Sequence, residues 1–327
     1  MLLRRSFFCA QRSLVTTFLL SVGFLFGRAS HSFIGSYRFR DNLPSPIFSI
    51  INDKVIQDED AQFEFLHTPE SPCYASSSSS SSSHSSSRIK IFPLIATSSF
   101  PDLLNISLTD GITALGDNLG LYFVVTKASD TETIKTVRSF NGKAMVATTN
   151  VWSAQGAVWN KAGALRMLQD KVAKYCFGKN VFFLIMDADT VLNKDFSSLS
   201  IPALLSSVQD LLDKSKGSTE ETLKDVLFGV KRKVFPTFDD YINNRDVDAV
   251  KAGQTLGTAP GKPFLGFFQL YHSSSMNRYP VWSRDAAYSD DEFASLFQKK
   301  TLLPGHVAHL GVPGINWHGR LSDRWVS

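Results

Sequence analysis

An unbroken apolar run at residues 181–186 leads directly into two carboxylates, Asp187 and Asp189. A short, continuous apolar run is typical of a strand that is buried on both faces, as in a parallel sheet covered by helices. Side chains two apart in a strand point to the same side, so we expect the two carboxylates to converge where the strand ends. Open α/β sheets bind their ligands at this carboxyl edge.

Further strands and helices are predicted on both sides of this run. Apolar runs predict strands at 88–96, 120–126, 143–148, 226–230 and 264–272. Helical spacing and length predict helices at 110–119, 130–140, 161–176, 201–214 and 289–297, the last with Ser289 as N-cap and Glu292 completing a capping box. Because strands and helices alternate, we predict an α/β fold with a doubly wound sheet.

The amino-terminal segment has the pattern of a secretory signal. Arg4, Arg5 and Arg12 precede residues 13–27, which carry no charge. About 20 residues are needed to cross a typical bilayer, so the segment suits either a signal-peptide core or a short anchor in the thinner membranes of the early secretory pathway. With its basic residues first, an anchored chain would place the remainder in the lumen. We assign residues 1–30 to this signal or anchor.

A serine tract separates the amino-terminal third from the part with clear periodicity. Residues 76–87 are all serine except His84, and such a tract cannot bury apolar surface. We therefore predict a stem or linker at 31–87 and one catalytic domain at 88–327. Asn105 and Ser107 form a glycosylation sequon, which is relevant only if the chain enters the lumen.

Charge says little about partners, and cysteine content excludes two classes of site. The net charge of +4 is mild and widely spread and argues neither for nor against nucleic acid. We expect no nucleic-acid partner. Cys9, Cys73 and Cys176 are too far apart for a zinc ligand set or a disulfide framework, and leave at most one bridge, from Cys73 to Cys176.

The carboxylate pair itself points to a metal. Two hard oxygen ligands suit Mg²⁺ or Mn²⁺ carrying a phosphorylated substrate. The alternative is a pair of solvated acids in a turn. An EF-hand loop is excluded, because Val191 and Leu192 stand where a ligand and a glycine are needed.

Several motifs occur in the order and spacing of one family. They are residues 159–165, Asp187-x-Asp189, residues 266–272, Tyr279-Pro280, Ser289-Asp290-x-x-Phe-Ala, Leu303-Pro304, His309-Leu310 and residues 316–320. Together they resemble nucleotide-sugar glycosyltransferases of the GT-A fold with a galactosyltransferase-like carboxyl half, over roughly residues 88–320. The chain departs from the pattern at Gly311, where an acidic residue often follows the His-Leu pair, and in its short tail.

The resemblance implies a fold and a reaction. The fold is a Rossmann-like, mixed and mostly parallel sheet flanked by helices. The reaction moves a sugar from a nucleotide-sugar donor to a hydroxyl group of a glycan, glycoprotein or glycolipid acceptor. We expect UDP to be the nucleotide of the donor. The amino-terminal segment adds the expected location in the secretory pathway. If the segment is uncleaved, the chain would be a type II protein of the Golgi or endoplasmic reticulum membrane with its catalytic domain in the lumen, and if the segment is cleaved, the chain would be secreted.

The resemblance also implies roles for individual residues. Asp187, Asp189 and His309 would hold Mn²⁺ or Mg²⁺ on the diphosphate of the donor. Asp290 would be the general base that deprotonates the acceptor hydroxyl, with Asp291 as the alternative. The remaining predicted donor-site residues are Thr97 and Ser98 near the nucleoside, Asn160 and Lys161 at the start of a helix, and Trp317, His318 and Arg320.

Two other functions fit parts of the sequence. An aspartate pair after an apolar strand also resembles the haloacid-dehalogenase phosphatases, in which Asp187 would be a phosphorylated nucleophile and Asp189 an acid/base. That motif usually opens its domain, whereas about three strands precede it here. A carbohydrate-binding domain without catalysis is the third alternative.

Overall fold

In the computed structural model of the chain, the described residues form a nine-stranded sheet. The structure describes residues 62–66, 89–152, 160–194, 196–215, 217–235, 241–243, 264, 266–281 and 286–310. All of these residues belong to one compact unit, 60–327. The predicted signal or anchor at 1–30 and the serine tract lie outside the described residues.

The strands and helices alternate along much of the chain. The strands are β1 (Phe63–Phe65), β2 (Lys90–Ala96), β3 (Tyr122–Thr126), β4 (Ala144–Thr149), β5 (Val181–Ile185), β6 (Thr190–Val191), β7 (Val226–Phe235), β8 (Gln269–His272) and β9 (Lys299–Leu310). The helices are α1 (Pro101–Leu115), α2 (Thr131–Ser139), α3 (Lys161–Tyr175), α4 (Ile201–Lys214), α5 (Thr219–Leu223) and α6 (Ala286–Ser295).

Sheet order and strand direction confirm the predicted fold class. The order is β1-β4-β3-β2-β5-β8-β7-β9-β6. The central strands β4, β3, β2 and β5 are parallel, β7 and β9 run in the same direction, and β1, β8 and β6 run against them. The protein is therefore an α/β fold with a mixed, mostly parallel sheet flanked by helices.

Both faces of the sheet are covered, which explains the continuous apolar run before Asp187. In β5, Phe182 and Leu184 pack into a core cluster with residues of α1 and α4, whereas Phe183 and Ile185 pack into a second cluster with residues of α3 and α6. Since successive side chains of a strand alternate between faces, a strand covered on both sides needs apolar residues at every position.

Most predicted elements are present, but several bounds differ. The helix at 201–214 is confirmed at both ends, and the helix at 161–176 ends one residue earlier, at Tyr175. The helix predicted at 110–119 instead begins at Pro101. The helix predicted at 289–297 begins at Ala286, so Ser289 lies inside it and the predicted N-cap and capping box were wrong. Ser289 is fully buried, and tertiary packing has overridden the local capping pattern.

Three further features concern the periphery of the domain. Strand β1, from a segment that the sequence pattern placed in the stem, pairs antiparallel with β4. Cys176 is disulfide-bonded, and the other two cysteines lie outside the described residues. No helix within the described ranges is long and apolar enough to span a membrane.

Candidate active site

Helix α3 begins at the carboxyl edge of the sheet and places Lys161 there. Asn160 is its N-cap, accepting a hydrogen bond from the Gly163 backbone N–H over 3.0 Å, and its side-chain amide donates to the Val281 carbonyl. A Cβ atom on Gly163 would lie 2.7 Å from that same carbonyl oxygen. The first turn of α3 is thus held tightly against residue 281, and Asn160 acts in this structure as a helix cap.

Lys161 joins the two carboxylates Asp187 and Asp290. Its ammonium group donates a hydrogen bond to Oδ1 of Asp187 and lies 3.8 Å from Oδ1 of Asp290. Burial lowers the pKa of Lys161, but the two carboxylates outweigh burial and raise it above its ordinary value. Burial raises the pKa of Asp187, and the attraction and hydrogen bond of Lys161 outweigh that effect and lower it. Lys161 and Asp187 are therefore held as an ion pair.

Asp290, on α6, lies in a second group of polar side chains. Its Oδ1 atom lies 2.9 Å from the Tyr279 hydroxyl, and it accepts a hydrogen bond from the Gly266 backbone N–H. Gln269 donates to the Asp290 backbone carbonyl over 2.9 Å. Burial, opposed by Lys161 and reinforced by Asp187, raises the pKa of Asp290 to about 6. A carboxyl group with such a pKa is suited to accept a proton near neutral pH.

Asp189 faces His309 across a short antiparallel ladder. Thr190 of β6 pairs with His309 of β9, and the Leu310 N–H donates to the Asp189 carbonyl over 2.8 Å. The pairing places Nε2 of His309 3.6 Å from Oδ2 of Asp189. Burial raises the pKa of Asp189, and His309 opposes this effect. Strand β9 thus places His309 beside Asp189 at the carboxyl edge of the sheet, as the resemblance implied.

The structure does not gather Asp187, Asp189 and His309 into one ready ligand set. Within the described ranges, no group of three His, Cys, Asp or Glu side chains is positioned to hold a metal ion, and Asp187 is engaged by Lys161. Asp189 and His309 remain a pair of oxygen and nitrogen donors. The side chains of Asp187 and Asp189 stay 31% and 27% exposed. Mg²⁺ is usually bound by one or two carboxylates together with substrate phosphates, so the pair fits a metal that arrives with a diphosphate.

Thr97 and Ser98 lie at the end of β2, where they were predicted, and Asp130 holds their loop. The Asp130 side chain accepts hydrogen bonds from Ser99 N–H over 2.7 Å, from the Thr126 hydroxyl over 2.9 Å and from Thr133 N–H over 3.2 Å. Ser99 has a φ of 66°, a conformation that is strained for a residue with a side chain. One carboxylate therefore caps α2 and ties together the ends of β2 and β3.

Of the predicted site residues, Asp187, Lys161 and Asp290 meet directly, and Asp189 with His309 lies beside them. Asp291 follows Asp290 on α6 and is partly exposed. Trp317, His318 and Arg320 lie outside the described residues. Sequence reasoning assigned no role to Gly266, Gln269, Tyr279 or Asp130. The first three belong to the motif regions that carried the resemblance, which was the only signal available for them.

Comparison with known proteins gives matches only among solved structures. No family model matches the chain, and no curated protein matches it. The similar structures include TarS of S. aureus in complex with UDP-GlcNAc (15% identity, 73% of this chain and 62% of that chain, TM-score 0.41). They also include the mannosyltransferase PcManGT of Pyrobaculum calidifontis in complex with GDP-Man and Mn²⁺ (16%, 78% and 62%, TM-score 0.40).

A third similar structure is glucosyl-3-phosphoglycerate synthase of Mycobacterium tuberculosis with Mn²⁺ and UDP-glucose (15% identity, 69% of this chain and 72% of that chain, TM-score 0.36). The chain spans about three fifths of the TarS and PcManGT chains. At TM-scores below 0.5 the overlap is partial, and the function of this chain rests on its own residues.

Proposed function

We propose that this chain is a metal-dependent glycosyltransferase. It would move a sugar from a UDP-linked donor to a hydroxyl group of a glycan, glycoprotein or glycolipid acceptor. We expect the sugar to be a hexose. The observation that carries the proposal is the meeting of three elements at the carboxyl edge of the sheet. The loop after β5 brings Asp187 and Asp189, α3 brings Lys161, and α6 brings Asp290.

The reaction needs a base for the acceptor, and Asp290 is the proposed base. The acceptor oxygen forms a bond to the anomeric carbon of the sugar, its proton passes to the Asp290 carboxylate, and the bond from the anomeric carbon to the diphosphate oxygen breaks. The electron pair of that bond stays on the nucleoside diphosphate. Tyr279, Gly266 and Lys161 fix the carboxylate from separate elements, so its position does not depend on the acceptor.

The departing nucleoside diphosphate gains negative charge that the site has to stabilise. Asp189 and His309 would hold Mn²⁺ or Mg²⁺, with Asp187 beside them, and the bound ion would supply positive charge at the diphosphate. A nitrogen donor next to carboxylates suits Mn²⁺ somewhat better than Ca²⁺. Lys161 keeps Asp187 ionised and fixes its orientation beside the proposed metal site.

A base on the acceptor side implies a single displacement. The acceptor then enters opposite the leaving diphosphate, and the anomeric configuration inverts, by the geometry that applies to inverting glycosidases. Proton NMR of the product gives the anomeric configuration directly. Retention would rule out this role for Asp290, whatever rates its variants show.

The proposed location is the lumen of the early secretory pathway. It is supported by the uncharged segment at 13–27 behind three arginines and by the sequon at Asn105, whose side chain is exposed on α1. Expression in a eukaryotic cell tests it: Asn105→Gln should remove one glycan, seen as a mobility shift. A chain that stays cytosolic and unmodified would refute this location.

Binding and turnover of the full chain test the function. We expect UDP binding that requires Mn²⁺ or Mg²⁺, and slow hydrolysis of one donor in a panel of nucleotide sugars. Asp189→Asn should abolish metal-dependent UDP binding without changing the melting temperature by more than a few degrees. Hydrolysis of a generic phosphate ester with no nucleotide-sugar turnover would identify a phosphatase instead. Sugar binding without turnover would identify a binding domain.

A further inference from the structure

Arg232 is a second cation at the carboxylate pair, and none of the roles above involves it. It lies on β7, where Arg232 pairs with Val307 and Val234 pairs with His309 of β9. Paired residues on neighbouring strands point to the same face, and so do residues two apart along one strand. Arg232 and His309 therefore project from the same face of the sheet, on neighbouring strands.

An aromatic ring holds the guanidinium in place. The centre of the Arg232 guanidinium lies 4.9 Å from the centroid of the Phe267 ring, within the range of a cation–π contact. Phe267 is almost fully buried and follows Gly266, whose N–H binds Asp290. The guanidinium is thus positioned by the same segment that positions the proposed base.

Arg232 acts on both carboxylates from a distance. Burial lowers the pKa of Arg232, and the charges of Asp187 and Asp189 oppose that effect. Within the described part of the chain the guanidinium makes no hydrogen bond, and no carboxylate oxygen lies within 4.0 Å of it, unlike the ammonium of Lys161. Lys161 is committed to Asp187 and Asp290, whereas no residue of the described ranges accepts a hydrogen bond from the five N–H donors of Arg232.

A phosphate group is the ligand that this arrangement fits. A guanidinium presents a planar fork of donors that matches two oxygens of one phosphate. An anion bound by Arg232 would lie near the ionised carboxylates, which repel it. A metal ion held by Asp189 and His309 would lie between the anion and the carboxylates and offset this repulsion. A diphosphate satisfies both requirements, because it has enough oxygens to contact the metal and the guanidinium at once.

We infer that Arg232 binds the diphosphate of the nucleotide donor, and remains bound to the nucleoside diphosphate as it leaves. This inference rests on the function proposed above. The competing role is structural: Arg232 would only maintain the local structure around Asp187 and Asp189. The two roles predict opposite effects on the metal alone. Removing a positive charge beside the carboxylates strengthens cation binding or leaves it unchanged, whereas a loss of local structure weakens it.

The test measures binding of three probes to the full chain: Mn²⁺ alone, inorganic pyrophosphate with Mn²⁺, and UDP with Mn²⁺. Arg232→Gln should weaken pyrophosphate and UDP by about 10- to 100-fold, as expected for hydrogen bonds to charged groups, and should not weaken Mn²⁺ alone. The pyrophosphate and UDP affinities of Arg232→Lys should lie between those of the parent and Arg232→Gln, because lysine keeps the positive charge but lacks the planar fork of donors. Lys231→Gln, an exposed neighbour on the opposite face, removes the same charge and should leave all three affinities within about twofold.

Each outcome decides between the roles. Unchanged pyrophosphate and UDP affinities in Arg232→Gln, with a parent protein that binds both, overturn the inference and leave the proposed function intact. Parallel losses for Mn²⁺ alone and for the diphosphates, with a lower melting temperature, favour the structural role and also overturn it. A parent protein that binds neither pyrophosphate nor UDP refutes the proposed function, and the inference with it.

Discussion

The hydroxyl group of Tyr279 lies 2.9 Å from Oδ1 of Asp290, and the same hydroxyl also contacts Oε1 of Gln269. The amide of Gln269 is oriented by its own donations to the backbone carbonyls of Phe264 and Asp290, so Oε1 accepts. One hydroxyl proton cannot satisfy two acceptors. When Asp290 is protonated it donates to the Tyr279 oxygen, and both contacts are satisfied. The network can therefore accommodate Asp290 in either state: burial raises its pKa to about 6, and the hydrogen bond that Tyr279 donates to the ionised carboxylate partly offsets this effect.

The first prediction separates Asp290 from Asp291. Asp290→Asn should lower kcat by about 10²- to 10⁴-fold, because the acceptor loses its base, while donor affinity stays the same. Since the base works only when ionised, kcat/KM of the parent should fall as the pH drops through about 6. Asp291→Asn is the matched control and should keep both rate and pH profile. If Asp291→Asn loses activity and Asp290→Asn keeps it, the base assignment moves to Asp291.

The second prediction concerns the close approach of the chain to Asp290. A Cβ atom on Gly266 would lie 2.3 Å from Oδ1 of Asp290, too close for the carboxylate to stay in place. Gly266→Ala should therefore displace Asp290 and reduce kcat by up to about 100-fold, as a 1 Å misplacement of a catalytic group can do. Binding of Mn²⁺ and UDP should change little.

Gly217→Ala is the control for this substitution. Its Cβ would make only an ordinary contact, 3.6 Å from Glu221, and the rate should not change. Full activity in Gly266→Ala would show that the position of Asp290 does not matter for catalysis.

The third prediction concerns the loop that carries Thr97 and Ser98. Burial raises the pKa of Asp130, but hydrogen bonds from Ser99, Thr133 and Thr126 outweigh it and lower the pKa below its usual value. Asp130→Ala removes a helix N-cap and should reduce the free energy of unfolding by about 0.5–2 kcal/mol in urea denaturation. Asp210→Ala, at an exposed position on α4, should change it by no more than about 0.5 kcal/mol.

The sign of the pH effect follows from the lowered pKa. A group whose folded-state pKa is depressed contributes stability above its unfolded-state pKa, near 3.8, and loses that contribution as the pH falls through the folded-state value. The stability difference between parent and Asp130→Ala should therefore shrink on acidification below about pH 4. A difference that is constant down to pH 2 would mean that the ionised carboxylate contributes nothing beyond packing.

The sequence predicted the elements whose signal is local. The apolar run before Asp187 could be assigned to a two-sided strand because both core clusters impose apolar residues on β5. Helix α4 was predicted at both ends because its apolar stripe is clear. In contrast, β9 could not be recognised in the sequence, because Pro304 and Gly305 interrupt its strand pattern. Its pairing with β7 shifts register between Gly229 and Lys231. A strand with such an irregularity has no regular alternation to recognise.

The site was harder to predict because its contacts join distant segments. The position of His309 beside Asp189 depends on β6–β9 pairing, and the two residues carry no local pattern that links them. Tyr279 and Gln269 have the appearance of ordinary core residues, and only the fold brings their polar atoms to Asp290. Asp187 and Asp189 were expected to converge on one ion, but the strand ends at Ile185, and the turn that follows gives each carboxylate a different basic partner.

The last prediction concerns His309 as a metal ligand. Its Nε2 atom lies 3.6 Å from Oδ2 of Asp189, and two ligands of one ion at about 2.1 Å can lie no farther apart than about 4.2 Å. His309→Ala should therefore weaken Mn²⁺ binding by at least about tenfold, with UDP binding weakened in parallel. Part of the lost rate should return at high Mn²⁺, because Asp189 and the diphosphate still offer ligands.

The control for His309→Ala is His306→Ala on the same strand. His306 pairs with Lys231, three positions earlier than His309, so the alternation of the strand directs it to the other face, and Mn²⁺ affinity should stay within about twofold. Isothermal titration with Mn²⁺ alone, and then with Mn²⁺ and UDP, measures both effects. An unchanged Mn²⁺ affinity in His309→Ala would show that His309 only pairs with Asp189. A rate that Mn²⁺ does not restore, together with a lower melting temperature, would assign it a structural role in the β6–β9 ladder.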